Sequence, residues 1–225
     1  MTETFPPFDE KFISKYPVVR FRKGDIILKY GQLNTHLYCI KEGICACTII
    51  NTDGNTLIPL FLRKHEVIGV RLELLGVMEN RSIHEVSAHT DVAAYKIPIN
   101  DIRTLLKTDF EAYKRATRSV ISSLDRVIET SNLRGKGNSV MMVCNTIYHE
   151  MEPVPGKKDL FILPSYFSVT DLANSMLIHR VTVSRIMHTL CMENVMKKED
   201  RCWYITDASL LNKYRQGMLT LKIKK

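Results

Sequence analysis

Between Val18 and Ile97 the chain is cut into eight short runs: VVRF, DIILKY, HLYCI, GICACTII, TLIPLFL, EVIGV, HEVSA and VAAYKI. Turn-forming pairs separate them, among them Lys23-Gly24, Tyr30-Gly31, Glu42-Gly43 and Asp53-Gly54. Runs this short and this rich in β-branched and aromatic residues match strands joined by turns. Asp53-Gly54 is a hairpin signal, because Asp-Gly accepts the positive φ that a tight two-residue turn demands. About eight such strands predict an antiparallel barrel or jelly roll.

The pattern changes at Asn100. In NDIRTLLKTDFEAYKRATRSVISSLDRVIETSNL, the residues Phe110, Tyr113, Thr117, Val120, Ile121, Leu124, Val127 and Ile128 recur at intervals of three and four. That period is helical, and a stripe of about five turns predicts a seam between two copies of the chain. The alternative is one helix packed on its own roll. Asn132 to Gly137 breaks the stripe with two glycines and reads as a hinge. A helix is expected from Ser139 to about Met151, with Val140, Val143, Cys144, Ile147 and Tyr148 inward and Pro153 and Pro155-Gly156 ending it. A loop and strand over 157–163 follow.

Ser168 to Cys191, SVTDLANSMLIHRVTVSRIMHTLC, carries the clearest functional pattern. Ser168 with Asp171 forms a capping box opening a short helix, with Leu172, Ala173 and Met176 inward. A turn near Leu177-Ile178 leads to a second helix whose apolar stripe is Val183, Ile186 and Leu190. At about 100° per residue, Arg180, Val181, Ser184, Arg185 and His188 gather on another side. Two arginines and short polar groups on the second of two helices suit major-groove reading, since arginine bonds guanine O6 and N7 together. Thr182, His179 and Ser168 complete the expected DNA-binding set. Val195-Met196 and Trp203-Tyr204-Ile205 flank the polar turn Glu199-Asp200-Arg201, predicting a two-stranded wing whose Lys197, Lys198 and Arg201 can meet phosphates.

Asp171-Leu172-Ala173 and RVTVSR (Arg180 to Arg185) resemble the helix-turn-helix of the Crp/Fnr transcription regulators. FRKGDIILKYGQLNTHLYCIKEG is similar to the opening of their cyclic-nucleotide-binding β-roll. The resemblance implies an α+β chain divided into a jelly-roll-like antiparallel sensing domain at 1–107, a dimerisation helix and hinge at 108–137, and a winged helix-turn-helix at 138–225. It implies a homodimer on palindromic double-stranded DNA, with RNA polymerase as a further partner. Departures from the pattern are Leu177 where the turn normally has glycine, His179 as the cap, and Val181 where many relatives have glutamate. Valine cannot accept from cytosine N4 but can pack on a thymine methyl, so T·A is expected there.

In nucleotide-binding relatives an Arg-Ser pair cradles the phosphate and a glutamate holds the ribose. Arg81-Ser82 matches the pair, whereas Val70 follows Gly69 where the glutamate should stand. Arg126 and Val127 occupy the place of the adenine-facing hydroxyls. Arg81, Ser82, Gly69, Val70 and Val127 are therefore the candidate effector positions, and the expected effector is a small molecule other than cyclic AMP, anionic or aromatic in character. Residues 1–38 hold no cysteine, so no iron–sulfur cluster is expected, and the histidines show no haem-ligand spacing. An effector-independent or redox-responsive regulator, or a β-roll signalling subunit, are the alternatives.

Composition agrees with that reading. The 225 residues carry a net charge of +8, which suits a polyanionic partner. HExxH, Walker A and GxSxG patterns are missing, so no enzyme is expected. The start MTETFPPFDEKF has no basic segment before an apolar one, and no run of about 18 apolar residues occurs, so a cytoplasmic protein without membrane contact is expected. The six cysteines lack CxxC spacing and are expected as reduced thiols without a metal, Cys45 and Cys47 leaving a redox role conceivable.

Overall fold

The computed structural model describes residues 6–50, 56–70, 81–135 and 138–223. The Asp53-Gly54 turn and part of the expected hinge, Lys136-Gly137, lie outside the described residues. The chain divides into two compact units, Thr2–Val127 and Ile128–Lys225. Among the described residues no helix is long and apolar enough to cross a membrane.

The first unit is the expected jelly roll. All eight runs form strands: β1 (Val18–Phe21), β2 (Ile26–Leu28), β3 (His36–Glu42), β4 (Cys45–Ile50), β5 (Thr56–Leu62), β6 (Val67–Ile68), β7 (Glu85–Ala88) and β8 (Val92–Pro98). They make two antiparallel four-stranded sheets, ordered β1-β8-β3-β6 and β2-β7-β4-β5. Strand β8 is buried along most of its length because β1 and β3 flank it and both its faces are covered. Tyr95 and Ile97 face outward into a cluster with Leu37, Cys39, Ile102 and Ala116, while Ala94 faces a second cluster with Ile40, Cys45, Val86 and Ile68 inside the roll. Each large aliphatic buried this way contributes about 1.5–3 kcal/mol. Gly43 turns β3 into β4 at φ 90°, where a Cβ would overlap the Asp91 carbonyl.

The N-terminal arm contains the short helix α1 (Glu10–Ile13), anchored by buried Phe8 and Ile13. The helical region after Asn100 consists of two helices, α2 (Ile99–Thr108) and α3 (Phe110–Gly135). Asp109 separates them in an extended conformation and its Oδ1 accepts from the Ala112 amide at 3.0 Å, which caps α3. The sequence places a break from Asn132; the structure carries α3 to Gly135. A single helix-terminal glycine costs only about 1 kcal/mol, so it does not stop the helix earlier.

The second unit contains α4 (Ser139–Glu150), capped by Asn138, then β9 (Glu152–Pro153), β10 (Phe161–Leu163), α5 (Val169–Met176), α6 (Arg180–Met192), β11 (Met196–Glu199), β12 (Cys202–Ile205) and α7 (Ala208–Arg215). The wing is larger than the sequence suggests: β11 and β12 belong to a four-stranded sheet ordered β11-β12-β10-β9. Strand β10 is the strand expected within 157–163, whereas β9 was hidden because it is only two residues long. Asp200 and Arg201, with φ 46° and 66°, make the two-residue turn between Glu199 and its partner Cys202.

Candidate nucleic-acid interface and ligand pocket

The helix pair begins with the predicted capping box. Ser168 Oγ accepts from the Asp171 amide at 3.1 Å, and Asp171 Oδ2 accepts from the Ser168 amide at 2.9 Å. Leu172, Ala173 and Met176 are buried, which holds α5 against the second unit's core. Leu177 ends α5 in the left-handed region at φ 53°, ψ 42°. That reversal starts α6 three residues later. His179 precedes it and makes no side-chain cap hydrogen bond.

Helix α6 is divided by burial. Val183, Ile186, Met187 and Leu190 are at most 1% exposed. His179, Arg180, Val181, Ser184, Arg185 and His188 are exposed, while Thr182 is half-buried. A concave groove of about 810 Å³ lies between α6 and the wing, lined by Arg180, Ser184 and His188 on one side and by Lys197, Lys198 and Trp203 on the other. Val181, Thr182 and Arg185 lie outside that concavity. Ser168 also stands outside it, and its hydroxyl donates to Asp171 Oδ2 at 2.6 Å. Arg201 is exposed on the wing turn but does not line the groove.

Two groove features escaped the sequence reading. Val169 and Trp203 both line the groove, the latter with the Lys198 ammonium 5.1 Å from its ring centroid. The alternation of β12 carries the signal for Trp203. Tyr204 similarly underlies Lys197, whose Nζ also donates to Glu199 Oε1 at 2.8 Å. Aromatic faces of this kind hold lysine stems extended and leave the ammonium at the surface.

The first unit contains a pocket of about 380 Å³ inside the roll. Four candidate effector positions, Ser82, Gly69, Val70 and Val127, line it together. Arg81 does not: it is exposed, and its Nη1 donates to the Gly31 carbonyl at 3.1 Å. The walls are mainly aliphatic, with Leu28, Leu60, Leu62, Val86 and Val120 prominent. Gly69 has φ 94°, and a Cβ there would overlap the Asn34 side chain, so the bare backbone is needed where the wall turns.

A buried ion pair lies at one edge of this pocket. Arg126 from α3 donates to Glu66, and their side chains are 14% and 7% exposed. Arg126 also donates to Ser123 Oγ at 3.3 Å, while Glu66 Oε2 accepts from the Arg63 amide at 2.7 Å. Sequence reading noted Arg126 only as a missing hydroxyl, since its partner is 60 residues away.

All six cysteines are free. Burial pushes the thiols of Cys39, Cys45, Cys47 and Cys144 up to about 12, so little reactive thiolate forms at neutral pH. Among the described residues no cluster of His, Cys, Asp or Glu is arranged to hold a metal ion.

Residues 18–109 match the cyclic nucleotide-binding domain family. A comparison with curated protein sequences finds no match. Among solved structures, FixK2 from Bradyrhizobium japonicum is similar with a TM-score of 0.74, 16% identity, and coverage of 88% of this chain and 96% of that one. A CRP-family transcriptional regulator from Thermus thermophilus, TTHB099, is similar with a TM-score of 0.69 and 16% identity, covering 92% and 100%. CLP from Xanthomonas campestris, a c-di-GMP responsive global regulator, is similar with a TM-score of 0.66 and 14% identity, covering 87% of this chain and 96% of that one. Residues 18–109 are thus similar to a cyclic nucleotide-binding domain, and the chain has the fold of solved Crp/Fnr transcriptional regulators.

Proposed function

We propose that this protein is a sequence-specific DNA-binding transcription regulator that acts as a homodimer and answers to a small molecule in its β-roll. The observation that carries the reading is the division of α6: one side fully buried, the other presenting Arg180, Ser184, Arg185 and His188 beside a lysine-bearing wing. Major-groove entry needs a helix anchored on one side and free on the other, with donors on the free side. Lys197 and Lys198 are placed to neutralise phosphates next to such a helix.

Dimerisation is supported by α3. Phe110, Tyr113, Ile121, Leu124 and Ile128 are exposed on it, at 70%, 37%, 52%, 54% and 47%. An apolar helical stripe left in water favours self-association, and a two-fold pair presents its recognition helices to half-sites about 34 Å apart. The operator is accordingly palindromic in this reading. A gel-shift assay on sites selected from random duplexes tests it. Binding should weaken steeply with salt and fall about 10-fold to 100-fold in Arg180→Ala or Arg185→Ala. Salt-insensitive binding, or duplex affinity untouched by both substitutions, would contradict the proposal.

A further inference from the structure

Resting on the regulator reading, we infer that the roll pocket takes an uncharged, predominantly apolar small molecule rather than an anion of any kind. Among its described lining residues there is no lysine or arginine, and the one carboxylate is Glu66. Among those described residues an anion would meet aliphatic walls and a like charge, with the His84 side chain the one basic group beside them. The Arg126 guanidinium at the edge does not alter this, because it is already bound to Glu66. Arg81, the expected phosphate partner, is turned to the surface and held on Gly31.

The polar groups of the lining are mostly engaged with the protein itself. Ser82 Oγ donates to the His84 carbonyl at 2.6 Å, and Ser123 Oγ donates to the Ser119 carbonyl at 3.1 Å while accepting from Arg126. A polyhydroxylated ligand would therefore leave its own hydroxyls poorly matched, which costs affinity heavily. Aliphatic burial is what the pocket offers. Its volume of about 380 Å³ falls near the lower end of the roughly 300–1,000 Å³ usual for small-molecule sites. A fused ring system or a medium alkyl chain with one hydrogen-bonding end has the right chemistry.

The test uses the full chain and the neutral fluorophore N-phenyl-1-naphthylamine, displaced in turn by 1-decanol, decanoate and cyclic AMP. The expected result is saturable fluorescence, displacement by decanol at least about tenfold tighter than by decanoate, and none by cyclic AMP. Two variants that fill the pocket from different elements, Val127→Trp on α3 and Leu60→Trp on β5, should each weaken probe binding by about tenfold or more. Decanoate binding as well as decanol, displacement by cyclic AMP, or probe binding unchanged in a folded filler variant would each overturn the inference. Duplex binding is read on the same preparations: its absence sinks the regulator reading without touching the pocket, and its presence beside an anion-selective pocket sinks the pocket inference alone.

Discussion

His149 Nε2 lies 3.0 Å from Glu129 Oε2, so the imidazole of α4 is bonded to a carboxylate in the C-terminal part of α3. The other Glu129 oxygen accepts from Arg215 Nη1 at 3.1 Å, and that guanidinium stacks 4.6 Å from the Tyr148 ring centroid. Nδ1 of His149 is buried without a hydrogen-bond partner among the described residues. A proton added there would have no acceptor. Burial accordingly lowers the His149 pKa, with Arg215 in the same direction and Glu129 opposing.

This makes the second unit sensitive to acid. With the folded pKa below the ordinary value of about 6.5, the unfolded chain takes up the proton first as pH falls. The contribution to stability is complete above about pH 6.5 and declines from there toward the folded pKa. Melting curves of the wild type and His149→Gln should converge in slope only above neutrality, with the variant flatter between about pH 7 and 5.5. Parallel curves would show that His149 does not titrate as described.

Leu177 occupies the left-handed region at a position where it is 51% exposed. A side chain in that conformation costs about 1–2 kcal/mol. Glycine removes the clash but has a freer unfolded chain, worth about 0.5–1 kcal/mol in the other direction. Leu177→Gly should therefore stabilise the protein by roughly 0.5–1 kcal/mol in urea denaturation, and Leu177→Ala should not.

Breaking the Glu66–Arg126 pair should be costly from one side and mild from both. Arg126→Met leaves a buried carboxylate and is expected to lose about 3–5 kcal/mol. The double variant with Glu66→Met should recover most of that, since an apolar pair of similar volume fits the aliphatic surroundings. Additive losses in the double-mutant cycle would mean that the two groups are not coupled.

Val181 is 59% exposed on the outward half of α6, with no hydrogen-bonding atom in its side chain. Replacing the opposing thymine by deoxyuridine removes one methyl, which should cost the wild type on the order of fourfold in affinity. Val181→Ala should be indifferent to the same change. Enrichment of C·G at that position in selected sites would exclude the contact.

Charge on the α3 stripe should separate the two copies of the proposed homodimer. Ile121→Glu and Leu124→Glu place carboxylates where apolar side chains are about half exposed. Sedimentation should report monomer, and duplex affinity should fall by about 100-fold or more as each half-site loses its tethered neighbour. An unchanged sedimentation coefficient would locate the interface elsewhere.

The amino-acid sequence by itself determined the eight strands, the capping box at Ser168 and Asp171, and the inward and outward sides of α6. All of these rest on local periods and short-range hydrogen bonds, which neighbouring residues suffice to specify. It also marked Leu177 as the odd residue in a turn. Only the tertiary structure decided where Arg81 points, which groups line the roll pocket, and that Arg126 is held by Glu66. It likewise joined two very short strands to the wing and set Glu129 between His149 and Arg215. Such placements join residues far apart in the chain, and each depends on which partner satisfies a buried charge or backbone group once the fold has closed. No local pattern encodes that choice.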